Sequence, residues 1–175
     1  MNLGPTKRMT VVAAAVLALD QLAKLAVLRY LGYAQEKVII DGFFKLVHWG
    51  NTGAAWSLFN QFAGSNQMLA MFALLALLVL FLTRHHFDSH TLLGQLSLGL
   101  ILGGIAGNLV DRFRLGHVVD FIYFYVTRRG GGEIGFPAFN VADSAICSGV
   151  VLLFLLSWQK DQAAASPAKA SAKQN

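Results

Sequence analysis

This sequence is short of charge. Only 13% of its 175 residues are Asp, Glu, Lys or Arg, whereas 55% are hydrophobic. A soluble domain carries about 25% charged residues. That deficit excludes a surface fully exposed to water and requires a bilayer to cover much of the chain. Cysteine is nearly absent too. Cys147 stands alone, which excludes an intramolecular disulfide and any multi-cysteine metal site. It lies in an apolar run and reads as a small packing residue. The charge that is present is basic, net +5 with a pI near 9.6. The basic residues are scattered between apolar blocks, so anionic lipid headgroups account for them better than nucleic acid does.

What is there, in quantity, is long apolar runs. Mean hydropathy is +0.54, and the length suits one domain. Four segments are long enough to cross a ~30 Å hydrocarbon core: about Met9–Leu28, Met68–Thr83, Leu92–Val110 and Phe139–Trp158. The first reads as a span rather than a cleavable signal peptide, because it is too long for an h-region and contains Asp20 and Lys24. The fold class expected is a mainly α membrane protein with four transmembrane helices and a small β element in the first extramembrane loop. That element falls within Lys37–Trp49, which is rich in β-branched and aromatic residues around an Asp41-Gly42 turn. Residues 84–91 form a tight connection, so the second and third spans make an antiparallel hairpin. Gly130-Gly131-Gly132 reads as a flexible break. One membrane domain is expected over 1–160, and the Ala-, Ser-, Lys- and Gln-rich 161–175 reads as a disordered tail.

Four spans place both termini on one side and both long loops on the other. Lys and Arg counts near the span ends do not favour termini inside; the Lys7-Arg8 flank weakly does.

Ionisable residues within spans cost about 2.5–3.5 kcal/mol each on insertion scales and are functional candidates by default. Asp20 and Lys24 are spaced i, i+4 and can pair. They are either a mutually neutralised structural pair or supports for a nearby site. Asn108, Asp111 and Arg112 share a face at the end of the third span. Asp111 and Arg112 could equally be ordinary interfacial residues. Asn140 is a plausible N-cap for the fourth span, with Asp143 three residues on. Asp143 suits a helix start, but Ala, Phe and Val surround it, which points to a desolvated, reactive carboxylate. Asp120 sits in an apolar stretch too short to span, read as a strand or interfacial segment returning to the membrane. Two such acids on one face form a candidate aspartyl dyad, one removing a proton from water and the other hydrogen-bonding the scissile carbonyl. The His85-His86 and His90 cluster reads as a solvated loop rather than a metal site.

Five motifs then occur in order: Asp20-Gln21-Leu22-Ala23-Lys24, Asn51-Thr52-Gly53-Ala54-Ala55, Gly107-Asn108-Leu109-Val110-Asp111-Arg112, Val118-Val119-Asp120-Phe121 and Phe136-Pro137-Ala138-Phe139-Asn140-Val141-Ala142-Asp143-Ser144-Ala145. Together they resemble the lipoprotein signal peptidase (type II) family. The resemblance implies that Asp120 and Asp143 are the catalytic pair. It places Asn51, Gly53, Asn108, Asp111, Arg112 and Asn140 near the active site, with Asp20 and Lys24 as polar first-span positions. It implies a substrate that is a prolipoprotein whose lipobox cysteine carries a diacylglyceryl group, cut just before that cysteine. It implies no metal or organic cofactor and inhibition by globomycin. The partners expected are the prolipoprotein substrates and membrane lipids, with no nucleic acid, and the chain is expected to be a monomer. It also implies a bacterial cytoplasmic membrane location with the termini inside and the active site at the periplasmic face. Trp56 stands where the family usually carries Phe. A small proton-coupled carrier subunit using Asp20 would need its acids at mid-membrane, whereas most polar residues here gather at one face. Another intramembrane aspartyl protease would carry a Gly-x-Gly-Asp signature, and this sequence has none.

Overall fold

The computed structural model describes residues 4–53, 64–87 and 89–171. The element order is α1 (Pro5–Tyr30), β1 (Glu36–Ile40), β2 (Phe44–Asn51), α2 (Ser65–Thr83), α3 (Leu92–Leu115), β3 (Val118–Thr127), β4 (Glu133–Gly135) and α4 (Val141–Ser171). A short 3₁₀ turn, Arg84–His86, follows α2. Ala54, Ala55 and Trp56 of the second motif lie outside the described residues.

Four helices are long and apolar enough to cross a membrane. Their exposed side chains make the same point: Leu22, Met71 and Phe154 are 64%, 69% and 67% exposed. A face of that kind is stable against lipid and not against water. The third helix is the hub, packed on α1, α2 and α4. Without a hydrophobic drive between helices in lipid, small residues let backbones approach. A Cβ on Gly104 would come within 2.5 Å of the Ala142 carbonyl of α4, and one on Gly107 within 2.5 Å of Asp20 Oδ2 of α1. These glycines set the distance at which α1, α3 and α4 meet.

The helices are longer than the hydropathy suggests. Pro at the first position starts α1 early, as Pro suits helix N1. The third helix continues through Leu115 to a left-handed Gly116 cap. The last helix continues to Ser171, into the stretch whose composition suggests a disordered tail. Alanine is the best helix former, and this stretch is alanine-rich.

The β element is larger than Lys37–Trp49. Those residues do form the β1–β2 hairpin, with Gly42 at φ +70° in its turn. The second long loop adds two more strands, giving one antiparallel sheet in the order β1-β2-β3-β4. The 118–122 segment is therefore a strand, pairing Trp49 with Asp120 and Asn51 with Val118. Gly130-Gly131-Gly132 is not a loose break but the turn of the β3–β4 hairpin. Gly131 and Gly132 sit at φ +85° and +84°, and Arg128 N–H donates to the Gly132 carbonyl at 3.0 Å. Because the sheet draws strands from both long loops, the two loops lie at one end of the bundle.

Candidate active site

The two acids arrive from different elements. Asp120 is carried by β3, paired opposite Trp49. Asp143 lies in the first turn of α4. What brings them together is the extended segment between β4 and α4. Phe139 pairs with Ile122 of β3: its N–H donates to the Ile122 carbonyl at 3.1 Å, and Ile122 N–H donates to the Phe139 carbonyl at 2.9 Å. That bridge delivers Asn140 beside Asp120.

Asn140 then works in two directions. Its Oδ1 accepts from the Asp143 N–H at 3.0 Å, and its own N–H donates to Asp143 Oδ2 at 3.2 Å. This is a reciprocal cap of the helix start. Its Nδ2 donates to Asp120 Oδ1 at 2.9 Å and to Asn108 Oδ1 at 3.1 Å. Asn108 Nδ2 donates to Asp143 Oδ1 at 2.7 Å. Asn51 Nδ2 donates to Asp120 Oδ2 at 3.1 Å. Every carboxylate oxygen of the pair thus has an N–H donor, and Asn140 touches both acids.

Both acids line a cavity of about 680 Å³, within the 300–1,000 Å³ usual for ligand sites. Trp49, Asn51, Gly53, Asn108 and Arg112 line it near the acids, and Phe136–Phe139, Ile146 and Cys147 make the apolar part. Cys147 is therefore not a buried packing residue. It is exposed, one turn along α4 from Asp143, because this face of α4 borders the cavity and not α3.

Asp120 is 4% exposed. Burial, and then the neighbouring Asp143 charge, push its pKa up to about 7, against the opposing amide donors of Asn51 and Asn140 and the charge of Lys24. A carboxyl so placed can hold a proton near neutrality.

Behind the pair lies a buried polar layer. Lys24 Nζ is 2.8 Å from both Asp20 Oδ2 and Asp111 Oδ2, and donates to Asn108 Oδ1 at 2.9 Å. Asp20 Oδ1 accepts the Ala142 N–H of α4 at 2.9 Å. Asp111 Oδ2 accepts the Val119 N–H of β3 at 3.2 Å. The Asp20–Lys24 pair is thus structural in its contacts, yet one amide away from Asp143. Asp111 is a buried partner of Lys24, not an exposed interfacial acid. Arg112 turns elsewhere, donating to the Gly53 carbonyl at 2.9 Å and to Asn66 Oδ1 at 3.2 Å. Gly53 N–H in turn donates to Asn51 Oδ1 at 3.0 Å.

Two members of this layer escape a reading of the sequence. Gln21 Nε2 donates to Asp111 Oδ1 at 2.9 Å, and Asn66 Nδ2 donates to the Arg112 carbonyl at 3.2 Å. Gln21 carried a signal, being a polar side chain inside an apolar span. Asn66 carried none, since a polar residue at a helix start is ordinary. The rings of His85 and His86 lie 4.1 Å apart, tilted by 45°, in the connection between α2 and α3. Among the described residues no group of three His, Cys, Asp or Glu could hold a metal ion.

Known proteins resemble this chain over most of its length. The family described as signal peptidase (SPase) II matches residues 12–159. A lipoprotein signal peptidase of Desulforapulum autotrophicum is 39% identical over 87% of this chain and 92% of its own. That of Nostoc punctiforme is 42% identical over 81% and 84%, and that of Burkholderia multivorans 43% over 79% and 80%. Two solved bacterial membrane enzymes share the fold, with TM-scores of 0.66 and 0.70 at 29% and 28% identity. They cover 88% and 85% of this chain and 88% and 90% of theirs.

Proposed function

The chain belongs to the signal peptidase II family and is a multi-pass membrane peptidase; from that premise we propose that Asp120 and Asp143 form the pair with which it cuts the signal peptide from diacylglyceryl-modified prolipoproteins. The observation that carries this reading is that both carboxyls line one cavity and are joined through Asn140. The apolar wall formed by Phe136–Phe139, Ile146 and Cys147 suits a lipid-bearing segment. The polar end suits the peptide bond before the modified cysteine. The sheet end of the bundle faces the periplasm in this reading, with the termini in the cytoplasm. Asn51, Gly53, Asn108, Arg112 and Asn140 shape the site, and Asp20, Lys24 and Asp111 support it from behind.

Like charges lining one cavity resist double ionisation, so the pair shares one proton at neutral pH and titrates as a unit. Asp120, where burial favours the protonated form, holds that proton in this reading and hydrogen-bonds the scissile carbonyl oxygen. Ionised Asp143 takes a proton from a water, whose oxygen attacks the carbonyl carbon. The tetrahedral intermediate collapses as a proton passes to the leaving nitrogen and the C–N bond breaks.

The test is cleavage of a purified diacylglyceryl prolipoprotein in detergent. General acid–base catalysis is worth about 10²–10⁴-fold, so Asp120→Asn and Asp143→Asn should each lose at least that factor while still folding. The double variant should be hardly worse than either single one, because members of one unit are non-additive. Substantial turnover by either single variant would show the pair to be wrongly chosen, with Asp111 the next candidate.

A further inference from the structure

Lys45 on β2 is a buried lysine away from the dyad, only 4% exposed. Its Nζ lies 2.6 Å from Glu36 Oε2 and 2.6 Å from Glu133 Oε2. The two carboxylates come from β1 and β4, the opposite edges of the sheet. Edge strands of a flat four-stranded sheet stand about 14 Å apart, so one ammonium clasps the full width. Tyr123 and Tyr125 of β3 flank it, with ring centroids 5.3 and 4.7 Å from Nζ. Burial opposes the charge, but the bonds to Glu133 and Glu36 outweigh it and raise the lysine pKa above its ordinary value. The clasp therefore stays charged at neutral pH.

The two halves of the clasp differ in what they hold. Glu36 holds β1, an edge strand exposed along its length. Glu133 opens β4, which follows the glycine turn and leads directly into Phe136–Phe139, the apolar wall of the cavity. Tyr123 reinforces that side. Its ring packs at 4.9 Å on Trp49, which lines the cavity. A Cβ on Gly135 would collide with the same tyrosine ring, so β4 is pressed onto it.

We propose that Lys45 and Glu133 are positioning residues for the substrate: their ion pair fixes β4, and through it holds the Phe136–Phe139 wall where the lipid-modified segment binds. This rests on the cavity being the peptidase site. The ion pair touches neither acid, and Asn140 keeps its own anchors in the Phe139–Ile122 bridge and its bonds to Asp120 and Asp143, so loss of the ion pair loosens the wall and substrate binding far more than it disturbs the acids.

Kinetics of the full-length protein in detergent separate this role from a merely structural one. Glu133→Gln and Lys45→Met should raise KM on the order of threefold to tenfold, with kcat changed less than about twofold. Glu36→Gln should leave both constants within about twofold, because β1 leads to no cavity wall. Lys45→Arg should keep the wild-type KM, since a guanidinium can also bond two carboxylates. If Lys45→Met fails to fold, the two glutamate variants decide, as each leaves the lysine one partner. Equal KM changes in Glu36→Gln and Glu133→Gln would overturn the proposal. So would a lowered melting temperature in Glu133→Gln with KM unchanged. Asp120→Asn, assayed alongside, reports separately: turnover surviving there overturns the dyad. Turnover lost there, with KM unchanged in Glu133→Gln, overturns only the positioning role.

Discussion

Asp120 is held between two asparagines, one at each carboxylate oxygen. Asn51 and Asn140 donate to opposite oxygens of Asp120 and work against the burial that raises its pKa. With Asp120 carrying the shared proton, kcat/KM should fall as pH rises through about 7. Asn51→Ala removes one stabilising donor of the carboxylate, so this basic limb should move to higher pH. A pH profile of cleavage by the two proteins checks it, and an unmoved or acid-shifted limb would contradict it. The same shift bears on stability. Asp120's folded pKa exceeds the unfolded value of 3.8. Its contribution is therefore fully present below pH 3.8 and is lost as pH rises through about 7. At this scale the sequence was legible where a polar residue stood among apolar ones, as with Asp20, Lys24, Asp120 and Asp143. It was silent on Lys45, because a lysine in a β-rich loop is ordinary until its burial is seen.

Between elements, the lysine of α1 does what glycine does by being small. Gly104 and Gly107 let α1, α3 and α4 approach, and Lys24 then neutralises two acids that this approach buries. Asp20 and Asp111 are 0% and 3% exposed. Breaking a buried charge pair by removing one partner costs about 3–5 kcal/mol. Lys24→Met leaves two carboxylates facing each other, so folded yield and melting temperature should drop sharply. Adding Asp111→Asn removes one of the stranded charges and should restore part of the loss. Size-exclusion profiles and thermal melts in detergent read both. Full yield of the single variant with activity wholly lost would contradict a supporting role. The helices themselves were legible from hydropathy, since each must cross the same hydrocarbon thickness. Their ends were not, because Pro5 at the first helical position, the Gly116 cap and the helix-forming alanines after Trp158 act outside the apolar runs.

For the molecule as a whole, topology follows from strand pairing as well as from parity. Strands from the α1–α2 and α3–α4 connections share one sheet, and the α2–α3 connection lies at the other end. In a Cys147→Ser background, needed because that thiol is exposed, cysteines placed at His90 and Arg128 should react with an impermeant reagent from opposite sides of the membrane. Labelling of both from one side would overturn the topology. The number of spans, the placement of both long loops on one side and the acids worth suspecting were all decided by the sequence itself. Each is a local property: a run either is or is not apolar enough to cross lipid, and a charge within it stands out against its neighbours. The meeting of Asp120 with Asp143 is not local. It depends on β3 finding β2 at a sequence separation of 69 from Asn51 to Asp120, and on Phe139 bridging to Ile122 so that one asparagine reaches both acids. The clasp of Lys45 on two distant glutamates is of the same kind. Pairings between remote segments are selected by the packing of the whole chain, and only the tertiary structure decided them.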